Sequence, residues 1–210
     1  MGKRGPDDLV AACRSAGVGG ARVLEAIAAV PRADFVARPL AGRAYLDVPL
    51  PIPHSQVTTQ PSLVARMVAA LALGGEERVL EIGTGHGWQT ALLARLAGEV
   101  WTIERFGDVA ATAREHLRGR VNVHVLVGDG TCGLPAHAPF DAILVSAAHP
   151  TVPQPLVEQL AESGRLVQPI GSGGAEDVTL FAKVGGVLTR RRDVAAAHFV
   201  RLVGRHGFGE

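Results

Sequence analysis

Cysteine is scarce in this chain of 210 residues, with only Cys13 and Cys132 present. Two isolated thiols build neither a disulfide framework nor a cysteine zinc site, so both are expected reduced. Charge of one sign is lacking too: 21 Lys and Arg face 20 Asp and Glu, a net charge of +1. The basic residues are scattered apart from Arg190, Arg191 and Arg192, a run expected on the solvated side of a strand. Such a balance leaves no electrostatic footprint for duplex nucleic acid or an anionic membrane. Apolar stretches are broken by charge, Gly or Pro well before the roughly 20 residues that a membrane span needs. The start, Met1 to Leu9, is polar and lacks the apolar stretch and cleavage site of a secretory signal, so a cytoplasmic location is expected. His54, His86, His137 and His149 match no familiar ligand spacing and have no accompanying cluster of carboxylates or thiols, so no metal is expected. Tyr45 is the sole tyrosine, and no Tyr-x-x-x-Lys pair for hydride transfer exists.

What the chain has is 47% apolar residues with 20% charged, enough for one globular domain over residues 1–210. Apolar positions Leu9, Val10, Val18, Val23, Leu24 and Ile27 recur at helical spacing, broken at Gly17 to Gly20 into two short helices. Prolines 31, 39, 49, 51, 53 and 61 then forbid regular helix or central strand, and an ordered, functional loop region is expected there. Residues 1–60 thus form a helical preface and loop region. From 61 to 175 strand and helix signals alternate. A helix through Val64, Met67, Val68 and Leu71 is followed by apolar or β-branched runs at 79–82, 100–103, 123–127, 142–145 and 165–167. Helical stretches at 89–96, 109–117 and 155–160 separate them. The fold class is therefore α/β: a Rossmann-like, doubly wound, mostly parallel sheet with helices on both faces. Residues 176–210 close it, with strands predicted at 178–184, 187–191 and 196–203 and a C-terminal antiparallel hairpin turning at Gly185-Gly186.

One segment carries chemistry. Val79 to Trp88 is a buried strand running into the turn Gly83-Thr84-Gly85-His86-Gly87, which opens a helix. Glycines there let backbone approach a ligand, and the free N–H groups of the helix start favour an anionic group. Glu104 ends the second strand, 21 positions after Gly83, where an acid accepts from ribose hydroxyls. Either a dinucleotide or an adenosyl cofactor is compatible with this much. Trp88 stands where the dinucleotide fingerprint wants its third glycine, which disfavours nicotinamide. Asp129, in Gly128-Asp129-Gly130 after the next strand, supplies a second acid. Two acids at successive strand ends suit a neutral adenosine better than a pyrophosphate.

Further matches are to a family. Val30-Pro31-Arg32, Tyr45-Leu46-Asp47-Val48-Pro49-Leu50-Pro51-Ile52, Gln60-Pro61, the glycine turn, Ile103-Glu104-Arg105, Gly128-Asp129-Gly130 and Pro169-Ile170-Gly171 resemble protein-L-isoaspartate O-methyltransferases from Val23 to about Val203. The proline-rich stretch is the most diagnostic of these. The resemblance implies methyl transfer from S-adenosylmethionine to the α-carboxylate of L-isoaspartate, leading to succinimide formation and repair. It also implies that Glu81 to Gly87, including Thr84 and His86, surround the methionine end of the cofactor. Glu104, with Arg105 beside it, would hold the ribose, and Gly128-Asp129-Gly130 would lie along the adenine. Thr59 takes the position of a family serine, with Thr58 and Ser55 as further hydroxyls that would orient the acceptor.

Several residues depart from the family pattern. Pro53, His54 and Ser55 precede Gln56, His149 stands where a small residue is expected, and Arg201 follows Val200 where proline is expected. Tyr45, Ile52, His54, Gln56, His149, Val200 and Arg201 are the residues expected beside the acceptor. An acceptor carboxylate is ionised at neutral pH, so no general base is required and placement is the enzyme's task. The partner expected is a protein or peptide bearing isoaspartate or aspartate. A peptide-tailoring enzyme that esterifies a chosen aspartate to drive aspartimide formation is the alternative. A nicotinamide oxidoreductase and a non-catalytic module recognising altered aspartyl sites stand behind it. The oligomeric state is not encoded in any motif.

Overall fold

The computed structural model describes residues 4–209, so Met1 to Lys3 of the polar start, and Glu210, lie outside the described residues. Two helices open it, α1 (Pro6–Ser15) and α2 (Ala21–Ala29), as the spacing over 7–29 predicts. Pro6 begins α1, where a missing N–H is no loss, and Asp7 and Asp8 sit at the positive end of its dipole. Leu9 and Cys13 with Val23, Leu24 and Ile27 form the buried stripe of the pair.

The proline-rich stretch is more regular than a loop. Two 3₁₀ turns, Arg32–Phe35 and Arg38–Arg43, lead to a hairpin of β1 (Leu50–Ile52) and β2 (Gln56–Thr58). Strands of three residues are too short for alternation to reveal. Pro51 is tolerated because a two-stranded ribbon has free edges.

Alternation begins with α3 (Pro61–Ala70) and β3 (Arg78–Ile82), then α4 (Trp88–Leu96) and β4 (Glu99–Glu104). It continues through α5 (Gly107–His116), β5 (Val123–Val127), β6 (Phe140–Val145) and α6 (Gln154–Gln159). The long β7 (Leu160–Ile170) precedes β8 (Glu176–Val184) and β9 (Val187–Ala197). Gly185 and Gly186 join the last two at φ +61 and +77, the positive values a two-residue hairpin turn demands. The third strand predicted at 196–203 is a correction. β9 ends at Ala197, opposite Glu176, the first residue of its partner. Beyond that point there is no strand to pair with, and the Glu176 carboxylate takes the Phe199 N–H at 2.9 Å. The chain then leaves the sheet, with an isolated bridge from Arg201 to Ala148, just past β6, and Leu202 packed in one apolar cluster with Leu80, Ile82 and Ile143.

Seven strands lie in the order β5-β4-β3-β6-β7-β8-β9. The pairs from β5 to β7 are parallel, and β7-β8 and β8-β9 are antiparallel. The chain winds outward from β3 to β5, then returns to place β6 on the other side of β3. A crevice opens at the carboxyl ends of strands where the winding reverses, and here that point is the β3–β6 junction. One sheet face, with Val79, Val100, Ala142, Leu144 and Val167, packs under residues of α1 to α5. The opposite face, with Leu80, Ile82, Ile103, Ile143 and Val145, is covered by Leu156 of α6 and by Leu134 and Ala138 of the β5–β6 connection. Among the described residues, no helix is long and apolar enough to cross a membrane.

Candidate active site

Gly83, Gly85 and Gly87 carry the chain from β3 into α4 at φ +94, +54 and +92, a backbone that side-chain-bearing residues adopt only with strain. The turn folds over the end of the sheet and ties itself to β4. Gly85 N–H donates to Glu104 Oε2 at 2.9 Å, and Phe106 N–H donates to Oε1 at 3.1 Å. Glu104 is 7% exposed and lines the cleft, with a second lone pair on each oxygen still available. Opposite, Ser146 at the end of β6 accepts from Gln89 Nε2 at 2.9 Å.

Glu81 is placed differently from the loop residues around it. It lies beneath the turn, fully buried, and accepts from Gln89 Nε2 at 2.9 Å, Thr90 Oγ1 at 2.5 Å and Thr102 Oγ1 at 2.6 Å. Thr84 joins this network through Thr102 at 2.6 Å. Burial pushes the Glu81 carboxyl up to about 7, against the pull of those three donors, and the charge of Glu104 pushes the same way. His86 lines the cleft, and burial followed by the neighbouring His116 holds its pKa below the usual imidazole range. Trp88 donates its indole N–H to Val30 O at 3.1 Å, so the residue in the third-glycine position ties α4 to the end of α2.

A buried arginine organises the other wall. Arg32 is 1% exposed and donates from Nη1 to Ala44 O and Leu46 O at 3.3 and 3.1 Å, and from Nη2 to Val48 O and Thr58 Oγ1 at 3.0 and 2.9 Å. Arg32 lies in the family-like stretch Val30-Pro31-Arg32, where the sequence alone assigns it no role. Its acceptors are mostly backbone carbonyls of a loop, which no residue pattern reveals. Thr58 Oγ1 also accepts from Leu50 N–H at 3.1 Å. Both of its lone pairs are thereby committed and its own proton is left to donate. Thr59 lines the cleft beside it, and its hydroxyl has no hydrogen-bond partner among the described residues. Ser55 is exposed at the hairpin tip, away from the cleft lining.

The structure brings Ile52, Gln56, Thr58 and Thr59 together with Gly83 to Gly87, Glu104, Arg105, Gly130, Val200 and Arg201 around one cleft of about 1080 Å³, its open mouth included. Tyr45, His54, Gly128, Asp129 and His149 do not line it. Tyr45 packs against the main core. Asp129 turns toward the end of the chain, accepting from Thr131 N–H and Oγ1 at 2.9 and 2.6 Å and from Arg205 N–H at 2.7 Å. Partial burial raises its pKa, but these donors outweigh that and hold it below the usual carboxylate range. His149 packs edge-on against Phe208, with ring centroids 5.1 Å apart, and the Arg201 guanidinium stands 5.1 Å over the same ring.

A family model described as protein-L-isoaspartate(D-aspartate) O-methyltransferase matches residues 4–207. A protein-L-isoaspartate O-methyltransferase of Anaeromyxobacter dehalogenans is 54% identical over 190 residues, covering 89% of this chain and 91% of the relative. One from Methanoregula boonei is 48% identical over 194 residues, covering 91% and 89%. Among solved structures, a protein-L-isoaspartate O-methyltransferase superposes with a TM-score of 0.85 at 28% identity, covering 96% of this chain and 67% of that one. A Plasmodium falciparum protein assigned to the same enzymes, in complex with S-adenosyl-L-homocysteine, shares the fold with a TM-score of 0.80 at 21% identity, over 95% and 99% of the two chains.

Proposed function

The chain belongs to the protein-L-isoaspartate(D-aspartate) O-methyltransferase family, and from that premise we propose that it methylates the free α-carboxylate of L-isoaspartyl residues in proteins or peptides. As a member it is an S-adenosylmethionine-dependent methyltransferase. The observation that carries the acceptor reading is a convergence. The glycine turn and Glu104 come from the sheet, Thr58 and Thr59 come from the proline-rich segment, and all line one cleft.

The residues present fit the cofactor. Ile82, Ile103 and Leu202 give apolar walls for a base, and Glu104 has lone pairs for ribose hydroxyls. The glycine turn and the start of α4 suit an amino-acid carboxylate. When bound, S-adenosylmethionine supplies a methyl group on a positively charged sulfur. The chain's own part is placement and the exclusion of water. The acceptor carboxylate is already ionised at neutral pH, so no side chain has to remove a proton. Thr59 and the remaining Thr58 proton donate to that carboxylate and fix its approach, while Arg32 fixes Thr58. A dedicated acidic peptide acceptor, the second reading, is favoured by one observation: Arg201 brings an exposed guanidinium to the same cleft. A labelled-methyl assay on an isoaspartyl peptide and its aspartyl isomer tests the proposal. Base-labile methyl ester on the isoaspartyl peptide alone is expected, and equal labelling of the two, or none, would sink it.

A further inference from the structure

The tip of the β1–β2 hairpin is strained. Gln56 N–H closes a turn onto Pro53 O at 3.2 Å, and the two central residues, His54 and Ser55, sit at φ +60 and +56. A turn with two positive φ values favours Asn-Gly or Gly-Gly, so an imidazole-bearing residue there is costly and persists only where its surroundings hold it. His54 is held. Its ring lies flat on Phe106, with centroids 4.0 Å apart and planes 5° from parallel, and its Nε2 is 2.9 and 3.0 Å from the two Asp108 carboxylate oxygens.

These contacts bridge two walls. Ile52 and Gln56, flanking the hairpin tip, line the cleft on the proline-rich side, and Glu104, Arg105 and Phe106 line it on the sheet side. Phe106 is also the residue whose N–H holds Glu104 Oε1. From this geometry we infer that His54 is a positioning residue that clasps the hairpin across the cofactor cleft, so that the clasp must part each time cofactor or its demethylated product exchanges. The hydrogen bond from His54 is the largest cause that holds the Asp108 carboxyl below the usual carboxylate range. Closing segments of this kind commonly govern product release rather than the chemical step. The inference rests on the assignment of the cofactor to this cleft.

The test uses the full chain and S-adenosylhomocysteine, with its dissociation followed by chase. His54→Gly is the informative variant, because glycine relieves the positive φ while deleting both contacts. It is expected to unfold at the same or a higher temperature yet release S-adenosylhomocysteine about 10-fold faster, with KM for S-adenosylmethionine raised and kcat not reduced. Asp108→Ala should speed release in the same direction, and combining the two should add little, as for partners in one contact. Release within twofold of the parent in a folded His54→Gly protein overturns the clasp. So does a loss of thermal stability that tracks the faster release, since the contact would then be merely structural. Glu104→Ala separates the premises. If it leaves S-adenosylhomocysteine affinity unchanged, the cleft assignment itself fails; if it weakens affinity while His54→Gly changes nothing, only the clasp does.

Discussion

Glu81 is a fully buried carboxyl group with three donors aimed at it, and burial pushes its pKa up to about 7. A carboxyl raised above its unfolded value binds its proton more tightly in the native state. Its contribution is therefore fully present below the unfolded pKa near 4.5 and is lost as pH rises through about 7. Burial of the whole side chain permits a size of about 3 kcal/mol across that window. Glu81→Gln removes the titration. Buried Gln89 Oε1 has no partner at present and would accept from the new amide after a flip. Urea unfolding at pH 5 and pH 8 should show the variant gaining stability relative to the parent by about 2–3 kcal/mol at the higher pH. An identical difference at both values would mean that Glu81 is not raised. Thr59 offers a contrast, because its hydroxyl has no hydrogen-bond partner among the described residues. Thr59→Val should leave the melting temperature and cofactor affinity unchanged while lowering kcat/KM for the acceptor by about 10- to 100-fold, the scale of a hydrogen bond to a charged group. A Thr59→Val enzyme at parental rate would remove the hydroxyl from the mechanism.

At the scale of elements, the segment from Arg32 to Thr58 stands on one guanidinium. Four acceptors from residues 44 to 58 meet Arg32, and burial pulls its pKa down to about 10, opposed by the charge of Asp47, so it is still a cation at neutral pH. Arg32→Met keeps much of the volume and orphans those acceptors. A loss of about 3 kcal/mol or more is expected, with proteolytic nicking between Arg38 and Val57 as the local sign. Wild-type resistance to protease in that segment would show that the prolines alone hold it. The central strands β3 and β6 were legible because both of their faces are buried, which writes continuous apolar runs such as Val79-Leu80 and Ile143-Leu144-Val145 into the sequence. The hairpin β1–β2 was not, since three residues broken by proline show no period. The end of β9 was not either: Ala196 to Val203 has strand composition, and what stops the strand is the lack of a partner beyond Glu176, a tertiary fact. The same limit applies within the site. Gly83, Gly85 and Glu104 meet in the cleft as expected from spacing set by one strand-turn-helix-strand unit, whereas the turning of Asp129 toward Arg205 depends on a contact across 76 positions.

For the whole molecule, the final described segment meets the cleft, and acceptor choice is expected to depend on that meeting. Asp129 Oδ2 takes the Arg205 N–H at 2.7 Å and Thr131 Oγ1 takes the His206 N–H at 3.0 Å, which fastens the final segment across the β5–β6 connection. That fastening presents Phe208 between His149 and Arg201. Arg201 makes no ion pair among the described residues, so its charge faces the cleft unneutralised in a protein whose net charge is only +1. An exposed cation of this kind favours an anionic neighbour in the bound peptide, by an amount that salt screens over about 8–10 Å. The backbone permits a clean test. The bridge at this point uses Val200 O and Leu202 N–H, each 2.8 Å from Ala148, and leaves the Arg201 N–H out. Proline at 201 therefore removes no backbone hydrogen bond. Arg201→Pro combined with His149→Ala is expected to lower kcat/KM about 5- to 10-fold for isoaspartyl peptides with acidic flanks and to leave neutral ones unchanged, a difference of about 1 kcal/mol. The gap between the two peptides should also shrink for the parent enzyme in 0.5 M salt. If acidic and neutral peptides change by the same factor, or neither changes, the cation does not select the acceptor. The departures from the family at 149 and 201 would then be without consequence for a general repair enzyme.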